Sequence, residues 1–272
     1  MGIIVSSGDS FTYGDELIGS RDPRGFEFDT HHQYTFTHQL SQILQKKYIN
    51  LGKNGSSNSK IYRDTMRFLQ TTSKEVDLLV VTWTNWGRFE IANDFFLQSD
   101  ADTFIKQQDN MNQIIPSHRT ASFLFDYGSD EYPERKKILK QYIDEVLTLQ
   151  TQIVHGLTYM RNIQFLCDTM GIKVLQGIIH RGSRENLMWS LSKSREGWDD
   201  YKKFAVESLR YLRPESKIGL GHYIDIYSLA GANAREGCEY RPGGHVCEHT
   251  HYLYAHMLHN IIDEKGWFSA TN

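Results

Sequence analysis

The sequence predicts an α/β fold: a three-layer, flavodoxin-like sandwich with helices on both faces of a parallel sheet of about five strands. Short runs rich in Val and Ile alternate with amphipathic helical segments from the first residues onward, which is typical of such a sheet. Polar turns containing Gly, Ser and Asn follow the early apolar runs. The length of 272 residues fits one large domain. We therefore expect a single domain over 1–272, with insertions at about 86–135 and 180–220.

The predicted elements alternate along the chain, as a doubly wound sheet requires. Apolar residues spaced by three and four predict helices, and short β-branched runs predict strands. The predicted strands are 2–6, 48–51, 77–82 and 172–179. The predicted helices are 33–47, a segment from the N-cap pair Ser57-Asn58 through Leu69, 134–170 and 248–264. Gly171 is expected to close the third helix, because glycine accepts the left-handed backbone of a helix end.

The two insertions interrupt this alternation. Residues 86–135 scatter aromatic side chains among Asp, Gln and Ser without a sustained period. Because long irregular segments in compact domains are often functional, we interpret this one as a lid or a partner-binding surface. A decorated loop with short helices is the alternative. Residues 180–220 are rich in charge and contain Trp189 and Trp198.

The turn after the first strand is the first candidate for chemistry. Gly8-Asp9-Ser10 follows the apolar run Ile3–Val5, and open α/β sheets build their sites at the carboxyl edge of the strands. A serine hydroxyl becomes a good nucleophile when a base takes its proton, and histidine can do so near neutral pH. His245 lies directly before the last predicted helix. Ordinary turn composition is the alternative explanation of the Gly-Asp-Ser sequence.

Four short blocks, in this order along the chain, resemble the SGNH (GDSL-type) hydrolase family. The blocks are 8–15, 50–58, 77–85 and 243–251. The resemblance implies an ester hydrolase with Ser10 as nucleophile and His245 as general base. It also implies an oxyanion hole, a set of donors for the charged intermediate, made by the backbone N–H groups of Ser10 and Gly55 and the side chain of Asn85. The first three blocks look like divergent SGNH-like proteins of large-genome phages and marine microbes.

The expected triad acid is missing from its usual place. The family usually sets an aspartate two or three residues before the histidine, where this chain has Gly243 and Pro242. In a serine–histidine–aspartate triad, replacing the aspartate by asparagine costs about 10⁴ in kcat. The candidate acids are Glu239, Glu236 and Asp225, the last in the strand-like segment 223–227. The alternatives are a Ser–His dyad, or a weak or inactive SGNH-like binding module that uses its aromatic insertion.

Composition restricts the partners and the compartment. A net charge of −3 provides no basic field, which makes nucleic acid an unlikely partner. We expect neither a signal peptide nor a membrane span, because no charged n-region with a long apolar stretch and no run of about 18 apolar residues occurs in the sequence. Three cysteines form no CxxC pair and suit a reducing compartment, so we expect a cytoplasmic location.

We predict no cofactor and no metal. The histidines between 245 and 259 lack an HExxH pattern, and the apolar residues among them indicate a packed helix. The expected substrate is a small-molecule or carbohydrate ester, such as an acetylated sugar or a modified nucleotide. A protein partner bound through 86–135 is the remaining partner hypothesis.

Overall fold

The computed structural model confirms the predicted fold class. It describes residues 2–17, 29–54, 56–72, 75–86, 88, 141, 145–146, 148–179, 181–193, 197–220, 223–233, 240 and 244–268. Within them, a parallel sheet is formed by β1 (Ile3–Ser7), β2 (Lys47–Asn50), β3 (Val76–Trp83) and β4 (Lys173–Ile178). The strand order is β2-β1-β3-β4, so the chain winds outward in both directions from β1.

Helices cover both faces of this sheet. They are α1 (Ser10–Tyr13), α2 (Phe36–Ile43), α3 (Asn58–Thr72), α4 (Leu149–Met170), α5 (Arg181–Ser192), α6 (Asp199–Tyr211), α7 (Ile226–Ala232) and α8 (Glu248–Glu264). Short 3₁₀ turns span Asp29–Tyr34 and Pro214–Ser216. Within the described residues, no helix is both long and apolar enough to cross a membrane.

The described sheet has four strands where about five were predicted. The place of a fifth strand, beside β4, is taken by the single residue Ile218. Its N–H donates to the Gln176 carbonyl at 3.0 Å, and its carbonyl accepts the Ile178 N–H at 3.0 Å. This isolated pairing satisfies backbone groups on the outer edge of β4, which limits the exposed edge of the sheet.

Two apolar cores lie on the two faces of the sheet. β1 and β3 are buried on both faces, which explains why each reads as a nearly continuous apolar run. One core joins the sheet to α3, α4, α5 and α6, and the other joins it to α2, α7 and α8. In α8 the buried side chains recur at helical spacing: Thr250, His251, Tyr254, Ala255, Leu258, Ile261 and Ile262.

Helix ends agree with the sequence where local chemistry sets them. α8 spans 248–264 as predicted. α4 ends at Gly171, whose φ of 73° is the left-handed conformation expected of a closing glycine. At its start, the Thr148 side chain accepts the Thr151 N–H and caps α4, and most of the earlier part of the predicted helix, from 134, lies outside the described residues.

The predicted insertions stay predictions, and one predicted strand needs correction. The described part of residues 180–220 contains α5 and α6, which place Leu187 and Ala205 in the core. The strand-like segment 223–227 contains the start of α7, because the Asp225 side chain accepts the Ser228 N–H and caps that helix. The predicted insertion at 86–135 lies outside the described residues, apart from Trp86 and Arg88.

Candidate active site

The turn that carries Ser10, the predicted nucleophile, follows β1 directly. Asp9 caps the four-residue helix α1, and its side chain accepts the Phe11 N–H at 3.1 Å. α1 ends at Gly14, with φ of 90°, whose N–H donates to the Ser10 carbonyl at 2.9 Å. This short closed turn places Ser10 at the carboxyl edge of the sheet, where it is 5% exposed.

The structure brings His245 to Ser10 across a separation of 235 residues. His245 Nε2 lies 2.7 Å from Ser10 Oγ. The imidazole packs against the Phe11 ring, with centroids 4.9 Å apart. His245 precedes α8, which packs on α2 through the perpendicular rings of Phe36 and Tyr254. The docking of these two helices therefore brings the histidine to the serine.

Glu16 occupies the other nitrogen of the same imidazole. Its Oε2 lies 2.9 Å from His245 Nδ1 and also accepts the His245 backbone N–H at 3.3 Å. An ionised carboxylate can only accept hydrogen bonds, so Nδ1 carries the proton in the neutral ring. The lone pair of Nε2 then faces the Ser10 hydroxyl. This is the tautomer that a general base for Ser10 requires.

The backbone around Glu16 turns its carboxylate toward His245. Glu16 has a φ of 63°, in the left-handed region that L residues other than Asn and Asp seldom adopt. Leu17 is 2% exposed and anchors the next position in the fold. A backbone of this kind costs about 1–3 kcal/mol and is concentrated at functional sites. Glu16 was not among the acids predicted from the sequence, although it lies only six residues after Ser10.

The acids predicted from sequence do not hold this position in the described residues. Both Asp225 carboxylate oxygens bind Ser228, one through its N–H at 2.8 Å and the other through its hydroxyl at 2.7 Å. Glu236 and Glu239 lie outside the described residues. Within the described residues, the carboxylate at His245 Nδ1 belongs to Glu16, and the role of Glu236 or Glu239 stays a prediction.

Asn85 lies at the carboxyl end of β3, the strand beside β1. Its backbone carbonyl accepts the Arg88 N–H at 3.1 Å, which closes the turn.

Gly55, the third predicted oxyanion donor, lies outside the described residues. Gly52, in the same sequence block, allows a close approach: a Cβ there would lie 2.4 Å from the Tyr13 backbone nitrogen. Gly52 therefore fits the β2 turn against α1.

A second histidine is buried beside the site and is neutral. His251 Nδ1 accepts the Phe36 N–H at 3.1 Å, and the two rings are stacked with centroids 5.9 Å apart. Burial, with a smaller contribution from the charge of His245, lowers the pKa of His251 to about 3. His251 therefore fastens α8 to the start of α2 and stays uncharged near neutral pH.

Comparison with known proteins gives weak similarity to solved structures. No protein-family model matches this chain, and no curated protein matches it. Among solved structures, an acetyl xylan esterase, AlAXEase, has a TM-score of 0.42 at 13% identity, over 96% of this chain and 99% of that one. A lipolytic protein of the G-D-S-L family from Veillonella parvula has a TM-score of 0.42 at 13% identity, over 97% and 99%.

A lipase/acylhydrolase from Enterococcus faecalis has a TM-score of 0.42 at 14% identity, over 97% of each chain. With identities of 14% or less and TM-scores below 0.5, these similarities do not identify the chemistry, which is inferred from the site residues.

Proposed function

We propose that this protein is a serine-dependent ester hydrolase that acts on small acyl esters. One observation supports the proposal above all: a continuous hydrogen-bonded chain runs from Ser10 Oγ through His245 to Glu16, with distances of 2.7 and 2.9 Å. A nucleophile, a base and an orienting acid in this order form the arrangement used for acyl transfer on several unrelated folds. Ser10, His245 and Glu16 are its proposed members.

In the first half-reaction, Ser10 Oγ attacks the ester carbonyl carbon while His245 Nε2 takes the hydroxyl proton. The carbonyl oxygen becomes an oxyanion, for which we propose three donors: the N–H groups of Ser10 and Gly55 and the side-chain amide of Asn85. His245 then gives its proton to the departing alkoxide oxygen. The C–O bond breaks, the alcohol leaves, and the acyl group remains on Ser10.

In the second half-reaction, water attacks the acyl carbon and gives its proton to His245. Collapse of the second tetrahedral intermediate breaks the bond to Ser10 Oγ, which recovers its proton from the imidazole. The carboxylic acid leaves. Throughout, Glu16 stays ionised, holds the Nδ1 proton and stabilises the imidazolium.

Cleavage of p-nitrophenyl acetate tests the proposal. Ser10→Ala and His245→Ala are each expected to lower kcat by at least about 1000-fold, because the members of such a triad act as a unit. The matched controls Ser192→Ala and His259→Ala, on α5 and α8, should keep wild-type rates. A fluorophosphonate should label the wild type but not Ser10→Ala. Full activity in either site variant, with circular dichroism unchanged, would overturn the proposal.

The substrate classes proposed for this site are acetylated sugars and modified nucleotides. Once activity on the activated acetate is established, turnover of an acetylated sugar and of an O-acetyl nucleoside can be compared by acetate release. The preferred class is the one with the higher kcat/KM, since this ratio measures discrimination between substrates.

A further inference from the structure

The turn that carries Asn85 is held by a buried asparagine of the neighbouring helix. Asn58 begins α3 and is 4% exposed. Its Oδ1 accepts the Thr84 N–H at 2.9 Å, and its Nδ2 donates to the carbonyls of Thr84 at 3.3 Å and Asn85 at 3.4 Å. The Asn58 amide thus binds both the N–H and the carbonyl of Thr84, just after the end of β3. A neighbouring strand would satisfy these backbone groups in the same way.

Asp9 holds the same turn from the side of the nucleophile. Its carboxylate is fully buried. While Oδ1 accepts the Phe11 N–H in the nucleophile turn, Oδ2 accepts the Thr84 hydroxyl at 2.7 Å and the Arg88 guanidinium at 2.9 Å. Breaking a buried, fully bonded carboxylate pair is costly, so these contacts fix the spacing between the two turns. Thr84 is therefore held from two sides.

We propose that Asn58 is a positioning residue that keeps the Asn85 side chain where the oxyanion forms. This inference rests on the proposed function. A donor contributes fully only within about 2.7–3.1 Å of the oxyanion, and a misplacement of about 1 Å can cost about 100-fold in rate. In this role Asn58 does not touch the substrate. It acts through the backbone of Thr84 and Asn85.

A double-mutant cycle tests this role. We compare the kcat for p-nitrophenyl acetate of the wild type, Asn58→Ala, Asn85→Ala and the double variant. Each rate is divided by the amount of active serine, which is measured as the end point of labelling with a fluorophosphonate. This normalisation excludes unfolded molecules. Asn58→Ala should lower kcat about 10- to 100-fold in the wild-type background with little change in KM. In the Asn85→Ala background it should cost less than about 3-fold, because no donor remains to be positioned.

A variant at an exposed asparagine serves as the control for this cycle. Asn162→Ala, at an exposed position on α4, should leave kcat unchanged. If Asn58→Ala yields no folded protein, Asn58→Asp replaces it in the same cycle, since it keeps the acceptor for the Thr84 N–H and lacks the two donors. Equal losses in both backgrounds, or no loss in either, would overturn the positioning role while Ser10-dependent hydrolysis stands. A wild-type protein without hydrolysis would instead contradict the proposed function itself.

Discussion

Glu16 shows how a single residue can hold a site together at a conformational cost. Its left-handed backbone disfavours the local fold, while its carboxylate accepts both the ring N–H and the backbone N–H of His245. Local strain of this kind persists only where surrounding contacts over-determine it. Here the buried Leu17 on one side and the bond to His245 on the other supply those contacts.

Removing the charge of Glu16 should therefore damage turnover more than folding. We expect Glu16→Gln to lower kcat about 100- to 10,000-fold, because the amide neither stabilises the imidazolium nor enforces the Nδ1–H tautomer. Steady-state kinetics on p-nitrophenyl acetate measures the loss. Glu207→Gln, at an exposed position of α6, is the matched control and should keep the wild-type rate. A kcat within about 3-fold of wild type would show that His245 is oriented by another group.

At the scale of elements, sequence reasoning succeeds where local chemistry decides. The ends of α8 and the closure of α4 at Gly171 follow from periodicity and capping, which neighbours in the chain determine. It fails where two local signals compete or where a distant partner decides. Around Asp225 the apolar alternation favours a strand, but the capping bond to Ser228, only three residues on, begins a helix. Glu16 was missed because its pairing with a residue 229 positions away leaves no periodic signal.

The packing of α4 on the turn after β3 gives a prediction at this scale. A Cβ at Gly156 would lie 2.1 Å from Cζ3 of the buried Trp86 ring, next to Asn85. Gly156→Ala must displace a rigid indole whose Nε1 donates to the Ser183 carbonyl at 2.7 Å. We expect a loss of about 1–3 kcal/mol in the free energy of unfolding and a Tm lower by about 2–12 °C, measured by calorimetry.

A second helical glycine provides the control for this variant. A Cβ at Gly182, in α5, meets no atom of the described residues within 4 Å. Gly182→Ala should therefore leave Tm unchanged or raise it, since alanine is favoured over glycine in a helix by up to about 1 kcal/mol. If Gly156→Ala and Gly182→Ala have the same Tm, the contact between Gly156 and Trp86 does not constrain the fold.

For the whole molecule, the buried His251 makes stability depend on pH. Its pKa is about 3 in the folded protein against 6.5 for an unperturbed histidine. Between these values the unfolded chain binds a proton that the folded protein does not, so stability falls as pH drops from 6.5 toward 3. Above pH 6.5 this group contributes no pH dependence. His251 alone can change the free energy of unfolding by at most about 1.4 kcal/mol per pH unit.

His251→Asn tests this linkage, because the asparagine side chain keeps an acceptor for the Phe36 N–H and does not titrate. Urea unfolding at pH 7 and pH 5 measures the free energy of unfolding of both proteins. We expect the wild type to lose about 2 kcal/mol more than the variant between these two pH values. An equal loss in the free energy of unfolding in both proteins would mean that His251 is charged in the folded protein or accessible to water.

The position of Glu16 also bears on when activity arises during synthesis. The proposed nucleophile and acid lie six residues apart and are translated almost together, and the proposed base follows 229 residues after the acid. A nascent or truncated chain that ends before His245 carries a serine with no partner to take its proton. In the proposed mechanism, hydrolysis then begins only after α8 has been translated and has docked on α2, so the same event completes one face of the fold and supplies the proposed base to Ser10.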